Sequence, residues 1–85
     1  MGTIIQFKSG REEMVFEDPD IVDERIEGSR KTIALSLAVR SEEIERHPAM
    51  TSLKIEYKPE LIYILKDSIE YYRPWTIPAK NTETY

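Results

Sequence analysis

The sequence predicts a small α+β domain in which an N-terminal β-hairpin and a third strand pack with about three helices. Three observations carry this expectation. Two apolar-rich runs, TIIQF and EEMVFE, flank a turn containing Ser9 and Gly10; Asp18-Pro19 and Gly28 bracket a short helical pattern; and at Pro59 the apolar spacing changes from strand-like to helix-like.

Each element follows from local chemistry. In TIIQFKSGREEMVFE, Gly10 can supply the positive φ that hairpin turns need, and Ile5, Phe7, Val15 and one of Met14 or Phe16 form the inner face. In DPDIVDERIEG, Asp18 suits the N-cap, Pro19 the first helical position and Gly28 the end, so a helix of about two turns carries Ile21, Val22 and Ile26 inward. The segment SRKTIALSLAVRS fits two templates. Ile33, Leu35, Leu37 and Val39 alternate as in a strand, whereas Ile33, Ala34, Leu37, Ala38 and Ser41 make a helical stripe behind a Ser29 N-cap. Pattern alone leaves both open.

SEEIERHPAMT reads as a charged loop stopped by Pro48, and the alternation of Leu53, Ile55 and Tyr57 with Lys54, Glu56 and Lys58 reads as a strand. Beyond it, Ile62, Leu65, Ile69 and Tyr72 predict an amphipathic helix from Pro59 to about Tyr72, with Glu60 near its positive end, Arg73 near its negative end and Pro74 as its stop. Residues 1–75 then form one domain, and 76–85 are expected to be a flexible or partner-ordered tail.

A chain of 85 residues buries a thin core and leaves little room for a deep active site. It has no cysteine, which excludes disulfides and thiolate chemistry; an intracellular protein of cytoplasm or nucleus is the expectation. No apolar run is long enough to span a bilayer, MGTIIQF lacks signal-peptide features, and Gln6 departs from the myristoylation pattern, so no membrane association is expected. The net charge of −4 is concentrated early, with eight acids against three bases in residues 1–28. That balance argues against nucleic acid as a direct partner. Asp20, Asp23, Glu24 and Glu27 are the candidates for an acidic face; a solvated surface is the plain reading and a basic partner the functional one.

No constellation suggests catalysis. His47 is the lone histidine, beside Pro48; the three glycines stand apart at positions 2, 10 and 28, so there is no phosphate loop; and the acids from Asp18 to Glu24 lack the spacing of a calcium loop. Neither enzyme activity nor a cofactor or metal is expected. The aromatic set is richer, because Tyr and Trp combine apolar area with a hydrogen-bonding tip at interfaces. Tyr57 and Tyr72 fall on core stripes, leaving Tyr63, Tyr71 and Trp75, with Ile44 from the charged segment, as candidates for a protein-contact patch.

The residues IIQFKSGREEMVFE at 4–17, SRKTIALSL at 29–37 and LKIEYKPELIYILKDSIEYY at 53–72 together resemble the BTB/POZ fold, more narrowly elongin C and the Skp-type adaptors of cullin ubiquitin ligases. The likeness covers about half the chain in the family's order and implies a helix at 29–41. It also implies a non-catalytic adaptor with cullin-like, receptor or ubiquitin-like partners, alone or as a homo- or hetero-oligomer. The chain departs from the family in lacking the C-terminal helices that build much of the receptor groove. The alternative is a small acidic inhibitor or regulatory protein, viral or otherwise, that blocks a basic site on a partner. The ending EYYRPW is similar to the EYKPW of the phage uracil-DNA glycosylase inhibitor, over five residues only.

Overall fold

A computed structural model of the chain describes residues 1–77 and the backbone of 81–84. The elements in chain order are β1 (Gly2–Phe7), β2 (Glu12–Val15), α1 (Pro19–Gly28), β3 (Thr32–His47), β4 (Met50–Leu65), a 3-10 turn (Lys66–Ser68), β5 (Ile69–Trp75) and β6 (Asn81–Thr84). The strands form one sheet in the order β5-β1-β2-β3-β4-β6, with all neighbours antiparallel.

The N-terminal hairpin and the helix form as their local signals predict. Gly10 takes φ 93° between β1 and β2, the left-handed conformation that only glycine adopts cheaply. Asp18 occupies the N-cap position of α1 with Pro19 behind it, although its side chain bonds no helix N–H and instead faces the terminal ammonium of Met1 at 3.7 Å. Val22 is buried, Ile26 is half-buried and Ile21 is exposed, so the inward stripe of α1 is narrower than expected.

The BTB/POZ-like architecture with about three helices is not the one observed. The segment expected as a helix at 29–41 and the charged loop at 41–50 are one continuous strand, β3, closed by a turn at Pro48-Ala49. The segment expected as a helix from Pro59 to Tyr72 is the second half of β4, the 3-10 turn and most of β5. Pro74 stops no helix but lies within β5 opposite Thr3. β3 and β4 pair without a register shift from His47↔Met50 to Thr32↔Leu65. Sixteen residues per strand make this hairpin longer than the rest of the sheet, and its distal half projects as an arm; the molecule measures 55 Å along its long axis.

The register sorts side chains onto two faces, because directly opposed residues share a face and successive ones alternate. Thr3, Ile5 and Phe7 of β1, Val15 of β2, Ile33, Leu35 and Leu37 of β3, Ile62 and Ile64 of β4, and Ile69 and Tyr72 of β5 share the face covered by α1. Ile5, Val15, Val22, Ile33, Leu35 and Ile64 are its buried core. Met14, opposite Ile4, lies on the other face, which carries no helix.

Between β2 and β3 the ladder is short, since only Val15↔Leu37 pairs there. Side chains complete it. Both carboxylate oxygens of Glu17 accept the Ser36 N–H, at 2.8 and 3.0 Å, and Arg25 of α1 donates to the Ala34 carbonyl at 2.7 Å and to Glu17 at 3.0 Å. This pin ties α1 and the end of β2 to β3.

Candidate protein-interaction surface

The helix-free face of β4 is apolar along its length. Leu53, Ile55, Tyr57, Pro59, Leu61, Tyr63 and Leu65 alternate on it, while the opposite positions run Lys54, Glu56, Lys58, Glu60 in the arm and then Ile62, Ile64 beneath the helix side of the body. Tyr57 meets Trp75 of β5 edge-on at 5.4 Å. Leu61, Tyr63 and Leu65 have no such cover and are 63%, 71% and 52% exposed. Their neighbours on β3 are the small Ser36, Ala34 and Thr32, so the three large side chains stand above a low floor.

The backbone beside this stripe is also open. Lys66 N–H donates to the Lys31 carbonyl, which makes the even-numbered residues of β4 those that bond β3 and turns the odd-numbered N–H and C=O groups outward. Among the described residues, β6 pairs with β4 at residues 52–55 only. From Tyr57 to Tyr63, and at the Leu65 N–H, the outward groups therefore face an unpaired edge among the described residues, whereas the Leu65 carbonyl accepts from the Ser68 hydroxyl at 2.6 Å; Pro59, which has no N–H, falls where none is needed for the β3 ladder. On the helix side the same edge adjoins an open groove of about 560 Å³, floored by Leu37, Ile62 and Ile64, walled by Phe7 and rimmed by Lys8 and Arg11.

The contact candidates Ile44, Tyr63, Tyr71 and Trp75 all lie on the helix-free face but do not converge. Ile44 is exposed on the arm opposite Leu53, Tyr63 belongs to the β4 stripe, Tyr71 lies across the sheet with its hydroxyl donating to Gln6, and Trp75 is half-buried against Tyr57. Asp20, Asp23, Glu24 and Glu27 are all exposed, and their spacing sets them in one line along the outer side of α1. The described residues include no group of three or more acidic, His or Cys side chains that could hold a metal ion. No helix among them is long and apolar enough to cross a membrane. Of the tail expected at 76–85, Asn81–Thr84 form β6, and residues 78–80 and 85 lie outside the described residues. His47 is exposed at the tip of the arm.

Sequence reasoning missed Leu61, Leu65 and Glu17. The first two were legible in the unbroken run of apolar odd positions from Leu53 to Leu65. Glu17 had no local signal, since its partners Ser36 and Arg25 are distant in the chain. Burial pushes the Glu17 carboxyl up, but the Ser36 N–H, its own backbone N–H and Arg25 outweigh this and hold it below its ordinary value. On the arm, the hydrogen bond that Lys54 donates to Glu45 at 2.7 Å, and the charge of that carboxylate, hold the ammonium above its ordinary value.

Comparison with protein-family models, with curated proteins and with solved structures finds no match to this chain.

Proposed function

We propose that the chain is a non-catalytic protein-interaction module that takes a strand of its partner onto the open edge of β4. The observation that carries this reading is the coincidence, from Tyr57 to Leu65, of outward backbone groups with the exposed side chains of Leu61, Tyr63 and Leu65. Strand addition uses these two features together: main-chain hydrogen bonds supply affinity, and alternate side chains supply selectivity. Here one set of partner side chains would extend the Leu61/Tyr63/Leu65 stripe, and the other would enter the groove above Ile62 and Ile64. The reading keeps the interaction role expected from the sequence. Its cullin-adaptor form drew on BTB helices that are strands here, so no cullin or ubiquitin-like partner is proposed.

Leu61→Pro tests it, because it removes an outward N–H without touching the bonds to β3. Proteins captured on the wild-type chain should be lost on Leu61→Pro and Tyr63→Glu baits and retained on a Glu24→Lys/Glu27→Lys bait. Equal capture by all baits sinks the reading.

The line of Asp20, Asp23, Glu24 and Glu27 favours a second reading, an acidic ridge that occupies a basic site on a partner. It predicts the reverse: binding that falls steeply with salt and is abolished by Glu24→Lys/Glu27→Lys. Salt-insensitive binding refutes it.

A further inference from the structure

We infer that the strand received by β4 is β4 of a second copy, running antiparallel across a two-fold axis at Tyr63. The inference rests on the strand-addition reading above and names its partner. A strand that pairs with its own copy must set outward residues opposite outward residues, and the side chains that become neighbours on each face must tolerate one another. The edge from 57 to 65 allows few centres, because β6 occupies 52–55 and the Leu65 carbonyl, which already accepts the Ser68 hydroxyl, has only its second lone pair to offer.

Charge and chemistry discriminate among them. A centre at Lys58 or Glu60 sets that residue against itself, stacking like charges. A centre at Tyr57 sets Pro59 against Ile55, whose edge β6 already occupies. A centre at Pro59 places two prolines where a pair must exchange N–H bonds and loses both. A centre at Leu61 opposes Glu60 to Ile62 and Lys58 to Ile64, a centre at Ile62 opposes Lys58 to Lys66, and a centre at Ile64 opposes Ile62 to Lys66. A centre at Leu65 carries half of the pairing into the 3-10 turn. The Tyr63 centre sets Leu61 against Leu65 and Tyr63 against Tyr63 on the helix-free face, and Ile62 against Ile64 on the other. It also sets Glu60 against Lys66 at both ends, and Pro59 falls outside the paired segment. Among the described residues the Glu60 carboxylate has no hydrogen-bond or ion-pair partner, and the Lys66 ammonium donates only to the neutral Ser29 and Ile26 carbonyls, at 2.8 and 3.4 Å. Each copy thus brings one uncompensated charge of each sign to the positions where the other can meet it. The few exposed or edge residues that gain neighbours make a small interface, of the size class of transient rather than permanent dimers.

Sedimentation equilibrium of the full chain, with circular dichroism as a control for folding, tests this. The wild-type chain should form dimers. Glu60→Lys and Lys66→Glu should each weaken association about tenfold, by placing like charges at both ends. Their equimolar mixture should restore it as a heterodimer, in which the introduced lysine faces the introduced glutamate at one end and native Lys66 faces native Glu60 at the other. Tyr63→Glu, at a position 71% exposed and so with little burial to lose on substitution, should be monomeric; it decides the matter if Lys66→Glu fails to fold. A wild-type chain that stays monomeric up to about 1 mM overturns the inference, as does a mixture no better associated than its components or a Tyr63→Glu dimer. A monomer whose captured partners are lost on Leu61→Pro sinks the second copy and leaves strand addition standing. A monomer with no capture sensitive to Leu61→Pro sinks both.

Discussion

Replacing Glu17 should unfasten the seam between β2 and β3. Its side chain is only 11% exposed, and the Ser36 N–H that it accepts at 2.8 and 3.0 Å has no strand partner on that side. That bond is one charge-assisted hydrogen bond shared by two oxygens, worth about 1.5–3 kcal/mol. The ion pair with Arg25 at 3.0 Å is half exposed on the arginine side and adds about 0–1 kcal/mol. Glu17→Ala should therefore cost about 3 kcal/mol, out of a total of about 4–13 kcal/mol for a chain of this length, and lower the melting temperature by roughly 10–20 °C. Urea denaturation followed by the fluorescence of Trp75 and by circular dichroism measures it. The pH dependence has a definite sign. The folded state holds the Glu17 carboxyl below its ordinary 4.5, so the stabilisation is complete above that range and is lost as pH falls through it and below. Between about pH 6 and 3 the wild type should lose more stability than Glu17→Gln, which has no charge to protonate. A cost under about 0.5 kcal/mol for Glu17→Ala, or parallel pH profiles for wild type and Glu17→Gln, would refute the role of the pin.

Three further substitutions test the packing. In Gly2→Ala the new methyl would lie 2.3 Å from the Val15 carbonyl oxygen and 3.0 Å from the Ile77 side chain, so β1 must shift; a loss of about 1–3 kcal/mol or more is expected in thermal melts, and a neutral result would mean that β1 and β2 are less closely apposed. Leu35→Ala empties a core position only 1% exposed and should cost about 2–5 kcal/mol by urea titration, far above the effect of truncating exposed Leu61. Tyr57→Ala removes the edge-on partner of Trp75 at 5.4 Å, costing about 0.5–1.5 kcal/mol for the ring pair and changing Trp75 emission; an unchanged spectrum would contradict that contact.

The parts of the fold that were legible in the sequence are those fixed by neighbours in the chain. The turn at Gly10 and the helix opened by Asp18-Pro19 need only their own residues to form. The long hairpin hid itself for two different reasons. In the arm, Ser41, Glu43 and Glu45 on one face and Arg40, Glu42 and Arg46 on the other are all solvated, so the segment shows no period and resembles a loop; its strand state comes from continuous pairing with β4. In the body the problem is inverted. Ile62 and Ile64 point to the core while Leu61, Tyr63 and Leu65 point away, and a strand apolar on both faces has no alternation to display. From such a run, Ile62, Leu65, Ile69 and Tyr72 can be picked out at helical spacing although three of them share one sheet face and Leu65 lies on the other. Pro59 then reads as a helix start, when it sits in a strand at a position whose N–H would face outward. Of the contact candidates, the face was legible and the convergence was not, because Tyr63 and Tyr71 lie on strands separated by β1, β2 and β3.

Unpaired strand edges invite aggregation, and proteins defend them with charge, proline or cover. Among the described residues this chain does so at three places. Glu17 and Arg25 plug the gap beside β3, β6 covers the arm of β4 at residues 52–55, and Glu70, Arg73 and Pro74 interrupt the outer strand β5. Along β4 from Leu61 to Leu65 none of these devices occurs among the described residues: five apolar side chains follow one another, and of the backbone groups at the odd positions only the Leu65 carbonyl is engaged, by the Ser68 hydroxyl. A 16-residue strand that is protected along its distal half and left bare along its proximal half is not explained by folding, since Leu61, Tyr63 and Leu65 contribute little burial to this chain's own core. Polar residues there would cost the monomer almost nothing and would spare it an exposed apolar patch. Their absence is accounted for if the bare half is ordinarily covered by another strand, and the balance of Glu60 at one end against Lys66 at the other matches that strand to β4 itself.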